Sequence, residues 1–205
     1  VARSPFQLPM RRLLATALTA GAVVLTACSQ TNFFGTRQPV VTAYLRLFGA
    51  SDTPLEFPAA FGVVANEIFA ARAEVSLSGN AAYDVVIDVD ASTPSDPRIK
   101  IIPVRKWVPA PTLGLPAVGL MRSSVAFDAA NEAPISGYVF DSTLVVRPGE
   151  TFMLQTNRCL GFQTTQYSKA VVDSVRLSDR AVKLRVATDQ NCGQRQFPTT
   201  DFPPR

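Results

Sequence analysis

The sequence predicts a mainly β protein, built as an antiparallel β-sandwich or barrel. Three observations lead to this prediction. Apolar and β-branched residues alternate with polar residues over several short stretches, which is typical of strands with one buried face. Sixteen prolines punctuate the 205 residues and disfavour long helices. Hydrophobic residues make up 47% of the chain and charged residues only 18%, so there is enough apolar surface to form a core.

Four stretches carry the clearest strand signals. They are VVTAYLRLF at 40–48, YDVVIDV at 83–89, RIKIIPV at 98–104 and TLVV at 143–146. In the second stretch, apolar residues alternate with a largely polar set formed by Asp84, Val86 and Asp88. This alternation predicts a sheet with one face in the core and the other face in water.

Two hairpins are predicted in the C-terminal half. The first is TLVV-RPGE-TFMLQ at 143–155, in which Pro148 and Gly149 suit the centre of a type II turn. The second is VVDSVRL-SDR-AVKLRVA at 171–187, which turns around 178–180. Both turns stand between apolar runs, so each is expected to join two neighbouring antiparallel strands.

The stretch 59–71 allows two interpretations. Five apolar residues and one basic residue fall at helical spacing, namely Phe61, Val64, Ala65, Ile68, Phe69 and Arg72. This spacing predicts one short helix. Val75 and Leu77 then alternate as they would in a strand. We therefore expect one short helix near 59–71, with a strand or a loop as the alternative.

The first 27 residues have the arrangement of a signal peptide. Fifteen uncharged residues, LLATALTAGAVVLTA at 13–27, directly follow Arg11 and Arg12. A permanent membrane span needs about 20 apolar residues, so this stretch is short for one. We expect 1–27 to be a removable leader, with Met10 as an alternative start.

The end of this leader, Leu25-Thr26-Ala27-Cys28, resembles the lipobox of bacterial lipoproteins. The resemblance implies cleavage before Cys28, lipid on the Cys28 thiol and anchoring to a membrane. Because Ser29 rather than Asp follows, it also implies the outer membrane in a two-membrane host, and otherwise the outer face of the cell membrane. Residues 28–38 are then a lipidated tether, and 39–205 form a single β-rich domain with a proline-rich tail.

Cys159 and Cys192 are the remaining cysteines, and an even pair in an exported domain predicts a disulfide. Neither belongs to a C-x-x-C motif, which disfavours a redox function. Each cysteine follows a predicted strand. We therefore expect the bridge to tie together two C-terminal hairpins that share no other obvious link.

Charge and composition disfavour several functions. The chain has no histidine, which excludes Ser-His-Asp and Cys-His hydrolases. Removal of 1–27 leaves 17 basic and 16 acidic residues, so nucleic-acid binding is not expected.

Asp88, Asp90 and Ser92 resemble the start of a calcium loop, but Thr93 and Ile99 stand where an EF-hand needs glycine and glutamate. No metal or cofactor is expected.

One basic and aromatic cluster is a candidate for surface contact. It comprises Arg98, Lys100, Arg105, Lys106 and Trp107, and it suits anionic lipid headgroups or wall polymers. The alternative is structural, since lysine and arginine also protect the edges of strands from pairing.

The leading hypothesis is a lipid-anchored protein of the cell envelope. Its domain, loosely immunoglobulin-like, would act without catalysis as a binding or scaffolding module for an unknown envelope protein or wall polymer. One alternative is a β-barrel that carries a small apolar ligand, which a copurified ligand would reveal. Another is a histidine-free hydrolase, which a cluster of carboxylates in one deep cleft would favour.

Overall fold

The computed structural model describes residues 40–63, 67–70, 83–108, 114–159 and 165–197, and for 67–70 the backbone alone. Within these ranges the strands form two antiparallel sheets that enclose an apolar core, which confirms the mainly β sandwich. The predicted leader, the lipobox with Cys28, and the tether lie outside the described residues. No helix within the described ranges is long and apolar enough to cross a membrane.

The described strands follow one another along the chain with few helical interruptions. The helical parts are one turn of α-helix, α1 (Val104–Trp107), and a 3₁₀ turn at Phe127–Ala129. The strands are β1 (Val40–Phe48), β2 (Pro58–Gly62), β3 (Glu67–Ala70), β4 (Val85–Asp90), β5 (Arg98–Pro103), β6 (Val118–Arg122), β7 (Val139–Phe140), β8 (Leu144–Val146), β9 (Thr151–Thr156), β10 (Gln166–Arg176) and β11 (Ala181–Asp189).

The two sheets have six and five strands. The six-stranded sheet has the order β1-β11-β10-β9-β6-β7, and the five-stranded sheet has the order β3-β2-β4-β5-β8. Because the strands are antiparallel, their connections gather at two ends. At one end, here called the turn end, lie the connections 49–57, 91–97, 147–150 and 177–180. At the other, here called the disulfide end, β1 begins and β9 and β11 finish.

The predicted strand at 40–48 is confirmed as β1. All nine of its residues pair with β11, from Val40 opposite Asp189 to Phe48 opposite Ala181. Leu45 and Leu47 point into the core, whereas Tyr44 and Arg46 are exposed on the outer face. This alternation is the pattern on which the prediction rests.

The space between the sheets is filled by apolar side chains in the described part of the chain. Both sheets contribute to this core, whose largest fully buried members include Leu47, Phe61, Ile87, Ile99, Ile101, Phe152, Leu154 and Leu184. Removing each of these side chains from water stabilises the fold by about 1.5–3 kcal/mol. The two sheets are separate, so the architecture is the sandwich rather than the closed barrel.

In the described residues 59–63 and 67–70, the helix expected near 59–71 is wrong and the strand alternative is confirmed. β2 and β3 instead form an antiparallel hairpin, in which Phe61 lies opposite Ile68. β2 is buried on both faces: Phe61 belongs to the main core, while Ala60 packs with Tyr83 in a second apolar cluster. A strand that is apolar on both faces loses the period of two, so its residues also match helical spacing.

The water-exposed face predicted for 83–89 is also wrong. Asp84, Val86 and Asp88 are all buried. The connection 49–57 covers part of this face, because Ser51 donates to the Asp88 carboxylate at 3.1 and 3.0 Å. Val86 packs in the second apolar cluster, where its partners include Val104 of α1. The face of this strand that the pattern predicts to be exposed is thus buried by segments that are distant in the sequence.

The first predicted hairpin has the right turn but the wrong pairing. Gly149 has a φ of 84°, and the Glu150 N–H donates to the Arg147 carbonyl at 3.1 Å, as a type II turn requires. However, β8 pairs with β5, whereas β9 pairs with β10 and β6. The 147–150 turn therefore crosses between the sheets. The second predicted hairpin is confirmed as β10 and β11.

Candidate functional site

Two surface concavities lie at the turn end of the sandwich. The larger, here called the aromatic groove, has a volume of about 310 Å³ and is lined by Arg46, Phe48, Asp52, Thr53, Pro54, Phe57, Ser178, Asp179 and Arg180. The smaller, here called the arginine cleft, has a volume of about 150 Å³ and is lined by Arg98, Arg122, Val145, Val146 and Arg147. The volume of the aromatic groove lies just above the lower limit of small-molecule sites, which is about 300 Å³.

Stacked rings form one side of the aromatic groove. The rings of Phe48 and Phe57 stack with their centroids 4.7 Å apart, and the Arg46 guanidinium lies 5.2 Å from the Phe48 centroid. Asp179 pairs with Arg46 at 3.6 Å and with Arg176 at 2.5 Å. The hydrogen bond from Arg176 lowers the pKa of Asp179 to about 2, so this carboxylate remains charged at neutral pH.

Arg180 fixes the other side of the aromatic groove. Its Nη2 donates to Asp88 Oδ1 at 3.0 Å and to the Val89 carbonyl at 2.6 Å. The Arg180 and Asp88 side chains are only 18% and 11% exposed. The pair therefore joins the 177–180 turn of one sheet to β4 of the other, in surroundings where water screens it weakly.

Gly49 makes the position of Arg180 possible. The Gly49 N–H donates to the Arg180 carbonyl at 2.9 Å. A Cβ atom at residue 49 would lie 2.9 Å from Arg180 Nε and 3.2 Å from the Val89 nitrogen. The first distance would require the Arg180 side chain to shift, and the second would require the Val89 backbone to move by a few tenths of an ångström, so glycine suits this close approach.

The arginine cleft collects its residues from both sheets. Arg98 begins β5, Arg147 follows β8, and Arg122 ends β6 in the opposite sheet. Each of the three arginine side chains is about half exposed. Val146, which also lines the cleft, is fully buried. The cleft therefore places three guanidinium groups around an apolar floor.

Two carboxylates hold these guanidinium groups in place. Asp96 accepts two hydrogen bonds from Arg147, at 2.7 and 3.2 Å, and two longer ones from Arg98, at 3.4 and 3.3 Å. Glu150 accepts from the Arg147 backbone N–H at 2.8 Å and from Arg122. The hydrogen bond from Arg147 lowers the pKa of Asp96 and raises that of Arg147 itself, so both stay charged.

The predicted basic and aromatic cluster is divided by the structure. Arg98 and Lys100 lie on β5, whereas Arg105, Lys106 and Trp107 lie on α1, beyond the far end of this strand. Six residues of β5 span about 16 Å. Arg105 donates to the Leu115 carbonyl at 3.0 and 2.7 Å, and Trp107 packs against the second apolar cluster. The structure brings Arg98 together with Arg122 and Arg147 instead; surface contact by the predicted cluster stays a prediction.

The predicted disulfide between Cys159 and Cys192 is confirmed, with Cα atoms 5.6 Å apart. The expectation that it joins two otherwise unlinked hairpins is wrong. β10 pairs with β9 on one side and with β11 on the other, so the strands that precede the two cysteines already belong to one sheet. The bridge closes a covalent loop at the disulfide end of an existing sheet.

Asp84 ties the two sheets together near the disulfide end. The carboxylate is fully buried and accepts from the Val63 N–H at 2.7 Å and from the Thr156 hydroxyl of β9 at 3.2 Å. Burial raises the pKa of Asp84 above its ordinary 3.8, and the hydrogen bonds oppose this only in part. The charged form is thus disfavoured in the folded protein.

Asp84→Asn should become more stable relative to wild type as pH rises. A raised folded pKa means that the wild-type protein loses stability as pH increases from 3.8 through the folded pKa, and then no further. Asparagine carries no charge and can still accept from Val63 while donating to Thr156. Urea unfolding from about pH 4 to about pH 8 measures the difference.

Asp84→Ala is the control for this prediction. It leaves the Val63 N–H unpaired, so it should be destabilised throughout. A gap between Asp84→Asn and wild type that stays flat or narrows with pH would contradict this account.

The residues that resemble the start of a calcium loop form hydrogen bonds and an ion pair within the protein. Asp88 binds Ser51 and Arg180, and Asp90 accepts from the Ser92 N–H at 3.1 Å. Within the described ranges, no group of three or more acidic or cysteine side chains is placed to hold a metal ion.

Comparison of the chain with protein-family models, with curated proteins and with solved structures finds no match.

Proposed function

We propose that this chain is an exported protein, anchored to a membrane by lipid on Cys28, which presents the turn end of its sandwich for binding in the cell envelope. The lipobox-like Leu25-Thr26-Ala27-Cys28 supports the anchor. The Cys159–Cys192 disulfide supports an oxidising compartment outside the cytoplasm.

The position of β1 is the observation that carries this proposal. The chain that precedes Val40 joins the domain at the disulfide end, and β1 then runs to the turn end over about 27 Å. The aromatic groove and the arginine cleft both lie at the turn end. An anchor at Cys28 would therefore leave both concavities at the end of β1 remote from the attachment point.

The character of the two concavities supports binding rather than carriage of a ligand inside the fold. The aromatic groove combines aromatic rings with guanidinium groups, and the arginine cleft is lined by arginines and valines. Both kinds of lining suit contact with polar and charged partners. A carrier would need room between the sheets, and in the described part of the chain that space is filled by the packed core.

Replacing Cys28 by serine should release the protein from membranes. Serine provides no thiol for a thioether-linked lipid, so neither cleavage before residue 28 nor anchoring should occur normally. Detergent phase partitioning and the mass of the mature N-terminus measure the effect. Ser29→Ala is the matched control, because it changes the adjacent residue outside the lipobox. If Cys28→Ser protein is cleaved and partitions as wild type does, the anchor is disproved.

A further inference from the structure

We infer that the arginine cleft binds a phosphate-type oxyanion, carried as an ester group on a soluble or polymeric ligand of the envelope. This inference rests on the proposed function, because it names the ligand chemistry for one of the two concavities at the turn end. The donors, the lining, the size and the position of the cleft support it.

The donors of the cleft are largely unused. Three guanidinium groups provide fifteen N–H groups. Six of their nitrogens donate in the structure: the Nε and Nη2 atoms of Arg98 and Arg147, and the Nη1 and Nη2 atoms of Arg122. The two carboxylates and one carbonyl that accept these bonds orient the guanidinium groups without occupying most of their hydrogens.

The lining of the cleft favours an anion. Among the described residues, only arginines and valines line it, while Asp96 and Glu150 hold the guanidinium groups from outside the lining. The three guanidinium groups carry three positive charges and the carboxylates of Asp96 and Glu150 carry two negative charges, so one positive charge remains. The buried Val146 makes the floor apolar, and an apolar floor strengthens charge-assisted hydrogen bonds formed above it.

The size of the cleft limits the ligand to a compact group. A volume of about 150 Å³ suits one tetrahedral oxyanion with part of its ester, and is below the range of drug-sized ligands. Guanidinium forks match phosphate oxygens in pairs, which lysine cannot do. The guanidinium groups on β5, β6 and the 147–150 turn can therefore contact several oxygens of one phosphate through the N–H groups that Asp96, Glu150 and the Val145 carbonyl leave free.

The position of the cleft favours one of two sources of phosphate. The described chain begins with Val40 at the disulfide end, and the cleft lies at the opposite end of the sandwich, beside the 147–150 turn. The ligand named here is therefore a phosphate ester outside the anchoring membrane, and vesicles of phosphatidylglycerol distinguish it from a lipid headgroup.

Titration calorimetry of the full chain in neutral detergent tests the inference, with inorganic phosphate and glycerol 3-phosphate as probes. Arg98→Gln is the first variant, because the Arg98 hydrogen bonds to Asp96 are the longest in the cleft and their loss should disturb the fold least. Arg147→Gln is the second. Arg176→Gln is the matched control, since Arg176 is also an exposed arginine paired with an aspartate but lies outside the cleft.

Wild type and Arg176→Gln should bind both probes alike. Each cleft variant should bind about tenfold more weakly, because each loses charge-assisted hydrogen bonds to the anion. Thermal unfolding of each variant confirms that it is folded. Cys28→Ser protein should bind as wild type does, so failure of the anchor and failure of the anion site are separable.

Three results would overturn the inference. The first is a wild-type protein that binds neither probe at tens of millimolar. The second is an equal loss of affinity in Arg176→Gln, which would indicate general electrostatic attraction. The third is binding to phosphatidylglycerol vesicles without binding to either soluble probe, which would make a membrane headgroup the source.

Discussion

Arg180→Met should lower the free energy of unfolding by about 3 kcal/mol, because it leaves the buried Asp88 carboxylate without its cationic partner. Methionine keeps much of the length of the side chain, but it cannot donate to Asp88 or to the Val89 carbonyl. Residue 180 has a φ of 55°, so a non-glycine replacement retains the backbone cost of the wild type. Urea unfolding monitored by circular dichroism measures the change.

Arg176→Met is the control for this experiment. Arg176 also forms an ion pair in the same β10–β11 region, but its side chain is 60% exposed, so the variant should unfold nearly as wild type does. A double-mutant cycle with Asp88→Ala isolates the pairwise contribution. Equal unfolding curves for Arg180→Met and Arg176→Met would show that the burial of the Arg180–Asp88 pair does not matter for stability.

Loss of the Cys159–Cys192 bridge should cost about 3–4 kcal/mol, since it closes a loop with a sequence separation of 33 residues in the unfolded chain. Cys159→Ala, Cys192→Ala and the double variant should be destabilised by similar amounts, because each removes the same bond. Because β9, β10 and β11 remain hydrogen-bonded neighbours, the variants should still fold. Chemical unfolding with and without reductant measures this.

Reduced wild type should match the double variant. If peptide mapping of the exported protein found free thiols at both positions, the bridge would be absent in the cell and the extracytoplasmic assignment would lose its structural support. If the bridge were present but its removal left stability unchanged, the constraint on the unfolded chain would be negligible here.

Local pattern predicted the strands that keep one face in the core. β1 is the clear case, because the exposed Tyr44 and Arg46 alternate with the buried Leu45 and Leu47. Alternation of polar and apolar residues does not identify β2, because both of its faces are buried. It also does not predict the burial of the face of β4 that 49–57 and α1 cover. Those covers come from elsewhere in the chain, so alternation within a stretch cannot reveal them.

The residues of the candidate site are harder to predict from local sequence than the strands, because they come from distant parts of the chain. The sequence predicts Arg98 as a surface residue but does not predict Arg122 or Arg147. Arg147 follows β8, which pairs with β5, and Arg122 ends β6 in the opposite sheet, so both meet Arg98 only through tertiary structure. The RPGE turn offered one partial signal, because it placed Arg147 and Glu150 together in a tight turn. Asp88 and Arg180, 92 residues apart, had no local signal at all.

The attachment of β1 also has a mechanical consequence. All nine residues of β1 pair with β11, and the strand runs between the two ends of the sandwich. A pull on Val40 that is opposed at the turn end acts along the strand axis. It therefore loads the nine pairs together in shear, whereas a pull across the strands would open the pairs one after another. With the proposed anchor before Val40 and the proposed ligand at the turn end, tension between them would act along β1 and not across it.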